Sequence, residues 1–154
     1  MLKKIIENMN KIPTHHLSGG KSFKIVWEEN LMASGIPELD QQHKDWISKF
    51  NEFERAIDLN KGEEACTQAL LFFIQYTDTH FKFEESLMEH YHCPARFKNK
   101  DEHEQFRTRM QEITYMTWPL GATGEDVLRL EEELVNWLKE HICGVDMQLR
   151  ACVE

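Results

Sequence analysis

Long apolar runs, proline, glycine and paired cysteines are all scarce in this sequence. The longest apolar run, at residues 69–74, has six residues, whereas a membrane-spanning helix needs about 20, so we expect no membrane span. Seven Gly and four Pro among 154 residues exclude a collagen-like or low-complexity chain. Because no C-x-x-C pair occurs, we expect reduced thiols rather than a disulfide scaffold. The four cysteines are Cys66, Cys93, Cys143 and Cys152.

Positive charge is scarce beyond the N-terminus. The chain carries a net charge of −9, but residues 1–24 carry five Lys and one Glu, so the rest is strongly acidic. An acidic body repels phosphate backbones, which argues against nucleic acid as a partner. No apolar signal segment follows Lys3 and Lys4, so a cytoplasmic location is expected. Pro13 and Ser18-Gly19-Gly20 indicate that residues 1–26 form an N-terminal extension to a domain at 27–154.

Strand signals are nearly absent, while apolar residues recur at helical spacing. Pro37 is suited to begin a first long helix that Gly62 ends, and Pro94 is suited to begin the third. Thr123 and Asp126 have the spacing of a capping box for the fourth. The pattern predicts long helices at about 37–62, 63–90, 94–118 and 123–145. Short connections favour antiparallel neighbours, so the predicted fold is all-α, an up-down-up-down four-helix bundle.

Several imidazoles and carboxylates fall on the apolar faces of these helices, where an unpaired charge is costly. Each helix contributes: His43 on the first, His80 and Glu84 one turn apart on the second, His103 on the third and His141 on the fourth. Asp146 follows His141 by five residues, a spacing that does not by itself place both on one face of a regular helix. Bundles build metal sites in their cores from such inward groups.

Each of these residues also has a purely structural interpretation. A single inward His can be a satisfied core residue, His80 and Glu84 can be a hydrogen-bonded couple, and Asp146 can be solvated near a helix end. Their coincidence on all four helices favours a metal site. Imidazole and carboxylate without thiolate suit iron, manganese, zinc or cobalt, and six donors exceed the needs of one tetrahedral zinc. Two carboxylates among four His suit a dinuclear site; a ferritin-like site would need two Glu-x-x-His motifs, and only Glu89-x-x-His92 occurs.

At these residues the sequence resembles the hemerythrins, particularly the bacterial ones. The matching pieces run in order from Trp27 to Asp146. They are Gly35-Ile36, Asp40-Gln41-Gln42-His43, His80-Phe81-x-x-Glu84-Glu85-x-x-Met88, His103-x-x-Phe106 and Trp137-Leu138-x-x-His141-Ile142-x-x-x-Asp146. The resemblance implies two iron ions (Fe²⁺/Fe³⁺) bridged by Glu84, Asp146 and an oxo or hydroxo oxygen. It further implies that one iron takes His43 and His80 and leaves a position open for O₂, while the other takes His103, His141 and a third His.

That third His is missing, because the family's His-x-x-x-His is here Asn99-x-x-x-His103. An amide oxygen is a weaker ligand than imidazole, so Asn99 is a weak ligand or none, and the second iron would then have an exchangeable position. His90 or His92 could substitute from the loop after the second helix. The resemblance also implies that Leu138 faces the O₂ pocket and that Trp137 helps to line it.

Several functions are compatible with these residues. The first hypothesis is an oxygen or redox sensor without enzyme activity of its own, whose signalling output domain is fused or lies on a partner. The alternatives are an O₂ carrier or store, a diiron enzyme acting on peroxide or NO, and a metal-free interaction module. A ligand set with one imidazole missing favours a site that oxidises readily, and therefore the sensor.

Overall fold

A computed structural model describes residues 24–118 and 120–153, and within them four long helical rods pack side by side. A short helix, α1, precedes the rods and packs against the last one. The helices are α1 (Glu29–Met32), α2 (Pro37–Asp58), α3 (Gly62–His90), α4 (Arg96–Thr117) and α5 (Gly124–Asn136), continued by a π-helical segment (Trp137–Val145) and α6 (Met147–Val153). In these ranges no residue is assigned to a strand, and the all-α bundle predicted from the sequence is confirmed.

The predicted N-terminal extension at 1–26 lies outside the described residues except for residues 24–26. Of these, Ile25 is buried, and its backbone N–H donates to Asn51 Oδ1 at 2.8 Å. Across the described part of the chain, no helix is both long and apolar enough to cross a bilayer.

The turns on either side of α3 are closed by residues in the left-handed conformation. Asn60 (φ 56°) follows α2, and His92 (φ 50°) follows α3. In each turn the next N–H reaches back five residues, from Lys61 to Ala56 O and from Cys93 to Met88 O, both at 2.8 Å. This is the Schellman pattern of helix termination. The prediction that Gly62 ends the first helix is therefore wrong.

Gly62 instead begins α3, in a place where two helices come close. A Cβ at this position would lie 3.1 Å from Val127 Cγ1 and 3.2 Å from Ile57 Cγ1. The absence of a side chain therefore allows the start of α3 to pack tightly against α5.

The fourth rod begins as predicted and then departs from regular α-helix. Thr123 and Asp126 form the capping box: the Thr123 N–H donates to Asp126 Oδ2 at 2.9 Å, and the Asp126 N–H donates to Thr123 Oγ1 at 3.3 Å. From Trp137 the helix widens into nine π-helical residues, and the Asp146 N–H donates to His141 O, five residues back, at 3.0 Å. The sequence pattern predicts one regular helix here, and this wider turn is the main difference.

The buried faces agree with the predicted periodicity at most positions. Phe50, Phe73, Phe106 and Leu134 are fully buried in one continuous core. Phe97 is an exception: it is one of the apolar residues at helical spacing in the third helix, but it is 71% exposed and packs under the Arg96 guanidinium.

The expectation of four reduced thiols is wrong, because Cys93 and Cys152 form a disulfide with Cα atoms 5.6 Å apart. Cys66 and Cys143 are free. The bond joins the turn after α3 to α6, across 59 residues of sequence. Local patterns carry no information on such a distant pair, because its proximity depends on α6 folding back against that turn.

Glu54, on α2, is a carboxylate buried at 6% exposure, away from the predicted ligands. Burial, together with the nearby acidic side chains of Glu131 and Asp58, raises the pKa of Glu54 to about 8. In the unfolded chain Glu54 has its ordinary pKa of 4.5 and loses its proton above that pH. The folded chain keeps this proton up to about pH 8.

Because the native state binds this extra proton between about pH 4.5 and 8, the free energy of unfolding should fall as pH rises through that window. The contribution of Glu54 to the slope is at most about 1.4 kcal/mol per pH unit. We expect Glu54→Gln, which is neutral throughout, to remove this contribution. Urea unfolding of both proteins from pH 5 to 8, in the same metal state, measures it. Glu52→Gln, an exposed control on the same helix, should leave the slope unchanged.

Candidate metal centre

The six residues predicted as ligands meet in the middle of the bundle. Their ligand atoms form two groups, in each of which all atoms lie within 4.8 Å of one another. Both groups contain Glu84 and Asp146, and every member is at most 1% exposed. One group adds His43 and His80, and the other adds His103 and His141. Two compact donor sets that share two carboxylates have the composition of a dinuclear site with bridging carboxylates.

The imidazole Nε2 atoms point at the shared carboxylates. His103 Nε2 lies 3.0 Å from Glu84 Oε2, and His141 Nε2 lies 2.9 Å from Asp146 Oδ1. In the other group His43 Nε2 lies 3.2 Å from Asp146 Oδ2. His80 Nε2 and Glu84 Oε2 are further apart, at 3.9 Å. The four rings therefore converge on one small volume from four sides.

Asp146 reaches this volume because of the π-helical segment. On a regular α-helix, residues five apart differ by about 140° around the axis and face different sides. The i→i+5 hydrogen bond from Asp146 N to His141 O adds a residue to the turn and brings both side chains to the same face. The ambiguity that the sequence leaves at Asp146 is resolved by this backbone geometry.

Three of the four imidazoles are held from outside the site through Nδ1. His80 Nδ1 donates to Gln42 Oε1 at 2.8 Å, His103 Nδ1 to Glu85 Oε1 at 2.9 Å, and His141 Nδ1 to Glu102 Oε2 at 2.7 Å. In the neutral form of each ring these acceptors hold the proton on Nδ1, which leaves the Nε2 lone pair available to a metal. Sequence reasoning assigned these partners no role, although each is the immediate chain neighbour of a predicted ligand.

Within the described part of the chain the inward atoms contact one another but have no hydrogen-bond partner outside the two donor groups. This is so for the Nε2 atoms of all four His and for both carboxylate oxygens of Glu84 and Asp146. Buried polar groups are normally satisfied, and so many orphans in one place indicate a missing partner. Cations satisfy imidazole lone pairs and carboxylates together, so the residues fit a pair of metal ions of the kind that N and O donors bind, including iron.

Without metal the charges must compensate one another. Burial, which alone would lower the pKa of His43, is outweighed by the adjacent Asp146, so the pKa of His43 lies above its ordinary value. Burial and Asp146 act to raise the pKa of Glu84, but His103, His141 and His80 outweigh them and hold it below its ordinary value. The carboxylates therefore stay ionised, which is the form that binds metal.

Asn99 lies on the inner face of α4, four residues before His103, and is fully buried. Neither its Oδ1 nor its Nδ2 has a hydrogen-bond partner among the described residues. His90 and His92, the candidate substitutes for the missing imidazole, are both exposed, and His92 closes the turn after α3. Neither belongs to the two donor groups, so the structure brings neither of these alternatives to the site.

Aromatic rings enclose the half of the site formed by His103 and His141. Phe81 stacks on His103 with ring centroids 3.7 Å apart, and Trp137 stacks on His141 at the same separation. Trp137, predicted to line a pocket, thus packs on this half of the site. Leu138 is 1% exposed and belongs to the same core. These apolar walls exclude water from the donor atoms.

This geometry defines a class of protein: four-helix bundles whose buried His and carboxylate side chains can hold two cations. The family model described as "Hemerythrin HHE cation binding domain" matches residues 34–152 of the chain. The chain belongs to the hemerythrin family.

Several relatives of the chain carry the name bacteriohemerythrin. The chain is 33% identical to that of Stenotrophomonas maltophilia over 123 residues, which cover 79% of this chain and 76% of the relative. It is 33% identical to that of Pseudomonas aeruginosa over 125 residues, with the same coverage. To that of Aquifex aeolicus it is 31% identical over 109 residues, covering 70% of this chain and 82% of the relative. No solved structure gives a significant match.

Removal of a shared carboxylate should disrupt both halves of the site at once. We expect Glu84→Ala and Asp146→Ala to lower the metal content well below two ions per chain, measured by elemental analysis after reconstitution with excess Fe²⁺. Glu104→Ala, at an exposed carboxylate on α4, is the control and should bind as the wild type does. If the two buried variants kept two ions, the carboxylates would not be bridging ligands.

Loss of an outer partner should weaken metal binding without removing a ligand. Glu102→Gln cannot accept a charge-assisted hydrogen bond from His141 Nδ1, so we expect metal affinity to fall about 10- to 100-fold. Competition with a chelator of known affinity measures the change. The same Glu104→Ala control applies, and an unchanged affinity would mean that Glu102 does not orient His141.

Proposed function

We propose that this domain binds two iron ions at the centre and serves as an oxygen- or redox-responsive sensor domain. The observation that carries the proposal is that both donor groups contain Glu84 and Asp146, so that two cations can share them. His43 and His80 would hold one iron, and His103 and His141 the other. The membership of the chain in the hemerythrin family supports iron as the metal.

Iron bound there would supply the electrons that a reaction with O₂ requires. The protein itself would orient the imidazole ligands and exclude water from the donor atoms. Gln42, Glu85 and Glu102 orient three imidazoles through their Nδ1 atoms. The side chains that keep water and protons away from the donor atoms, and so slow the loss of reduced oxygen species, are Phe81, Trp137 and Leu138.

Asn99 favours the sensor over a carrier. With an amide in place of an imidazole, each half of the site has two His besides the shared carboxylates. The unpaired and fully buried amide of Asn99 supports its placement beside the second iron as a weak ligand or none. A position there stays open to an exchangeable ligand, and the reduced form then oxidises readily, which suits a switch.

Helix α6 is the element best connected to transmit a change at the iron. Asp146 ends the π-helical segment directly before α6, and Leu149 of α6 is fully buried in the cluster beneath the disulfide. A change of charge at the irons shifts the contacts of Asp146 and thereby the position of α6. A fused or separate output domain would read this shift, and the domain itself would have no enzyme activity.

An O₂ carrier is the second candidate, and the enclosed aromatic walls favour it, because they protect a bound form from autoxidation. A diiron enzyme acting on peroxide or NO is the third.

A cytoplasmic location remains a prediction, and the Cys93–Cys152 disulfide argues against a strongly reducing compartment.

Iron per chain on anaerobically purified protein, followed by the visible spectrum on admission of air, tests the proposal. We expect two irons and a transient oxygenated spectrum that passes quickly to the diferric one. A long-lived oxygenated form would support the carrier, and turnover of peroxide or NO the enzyme. Fewer than one iron per chain would contradict the proposal.

Asn99→His restores the family's ligand and is the sharpest variant. We expect it to lengthen the lifetime of the oxygenated form, because a third imidazole closes the position on the second iron. The decay of the visible band after mixing with O₂ measures this lifetime. Asn99→Ala is the control: it removes the amide without adding a ligand and should not lengthen the lifetime. An unchanged lifetime in Asn99→His would mean that residue 99 does not lie at the metal.

A further inference from the structure

A cavity of about 260 Å³ lies between α2 and α3, on the side of the centre formed by His43 and His80. Gln42, Tyr76, Thr79 and His80 are among the residues that line it. Thr79 is exposed at the surface, whereas His80 is 1% exposed. The cavity therefore borders a predicted ligand and is lined in part by a residue exposed to solvent.

Tyr76 is one of the residues that line this cavity, and it lies one turn before His80 on α3. Its ring stacks on the His80 imidazole, with centroids 4.5 Å apart and planes 24° from parallel. His80 in turn meets His43 edge-on at 5.0 Å. The Tyr76 hydroxyl is fully buried and finds no hydrogen-bond partner in the described part of the chain.

A buried hydroxyl normally makes a hydrogen bond, because leaving it unpaired costs about 1–3 kcal/mol. Other buried or half-buried hydroxyls of α3 and α4 do so: Thr77 donates to Ile74 O at 2.7 Å, and Thr117 donates to Ile113 O at 3.0 Å. Tyr76 is thus an unpaired donor, held in place by a ring stack beside the metal centre.

We propose that the Tyr76 hydroxyl donates a hydrogen bond to a small anionic or oxygen-containing ligand that enters through the α2–α3 cavity and binds beside His43 and His80. Tyr76 is then a positioning residue for the exogenous ligand. The inference rests on the proposed diiron site.

Azide is a suitable probe, because it is a small anion that accepts hydrogen bonds. We expect Tyr76→Phe to weaken azide binding to the diferric protein about tenfold or more, measured by titration of the visible charge-transfer band. Tyr115→Phe is the matched control: Tyr115 is 86% exposed on α4, and its variant should bind azide as the wild type does.

A merely structural role gives a different result. If the hydroxyl only supported the fold, Tyr76→Phe would destabilise the metal-free protein, whereas the proposal expects its unfolding midpoint to be unchanged or raised. An unchanged azide affinity in a variant that holds two irons would overturn the inference. So would a visible tyrosinate–iron band in the wild type that Tyr76→Phe abolishes, because the oxygen would then be a ligand.

The access route has its own test. Thr79→Trp narrows the outer end of the cavity, so both association and dissociation of azide should slow while the affinity stays the same, as measured by stopped flow. Unchanged rates would show that ligands enter elsewhere, and so overturn the route. Failure of the wild type to hold two irons would instead contradict the proposed function, so the two failures are distinguishable.

Discussion

Two carboxylates in the middle of an apolar bundle require compensating charge from the side chains around them. Glu84 and Asp146 are each at most 1% exposed, and both remain ionised. A buried charge is tolerated only when it is paired, and two like charges close together need more compensation than one. Four imidazoles supply part of it, which is why every rod of the bundle contributes a His. In the proposed site metal ions would supply the remaining compensation, so folding and metal binding would depend on the same balance of charge.

The same constraint explains the irregular backbone of the fourth rod. A regular helix would place either His141 or Asp146 on the inner face, but not both. Nine π-helical residues bring both side chains to the inner face, and the chain returns to α-helix at Met147. Wider turns of this kind are rare and occur often at functional sites. Helix α6 and its disulfide to the turn after α3 come directly after this segment, so the geometry of the metal centre positions them.

Local periodicity was sufficient to predict the four rods, the capping box at Thr123 and the inner face that carries His43, His80 and His103. It failed where distant segments meet. The Cys93–Cys152 bond and the outer partner Glu102 of His141 depend on how helices pack, which no local pattern encodes. The exposure of Phe97 has a related cause. This residue lies in the first turn of α4, where the neighbouring helices leave its apolar side chain uncovered.

The two halves of the centre differ in their surroundings rather than in the number of their donors. His103 and His141 lie under stacked aromatic rings, whereas His80 borders a cavity open to solvent. In the proposed diiron site the amide at residue 99 would free a coordination position on the enclosed half, while the cavity beside His80 would give small ligands space on the other. The replacement of the third imidazole should therefore act through the electron-donating strength of the ligand set rather than through access. In the proposed site a ligand would therefore bind in one half, and the ease of oxidation would be set largely in the other.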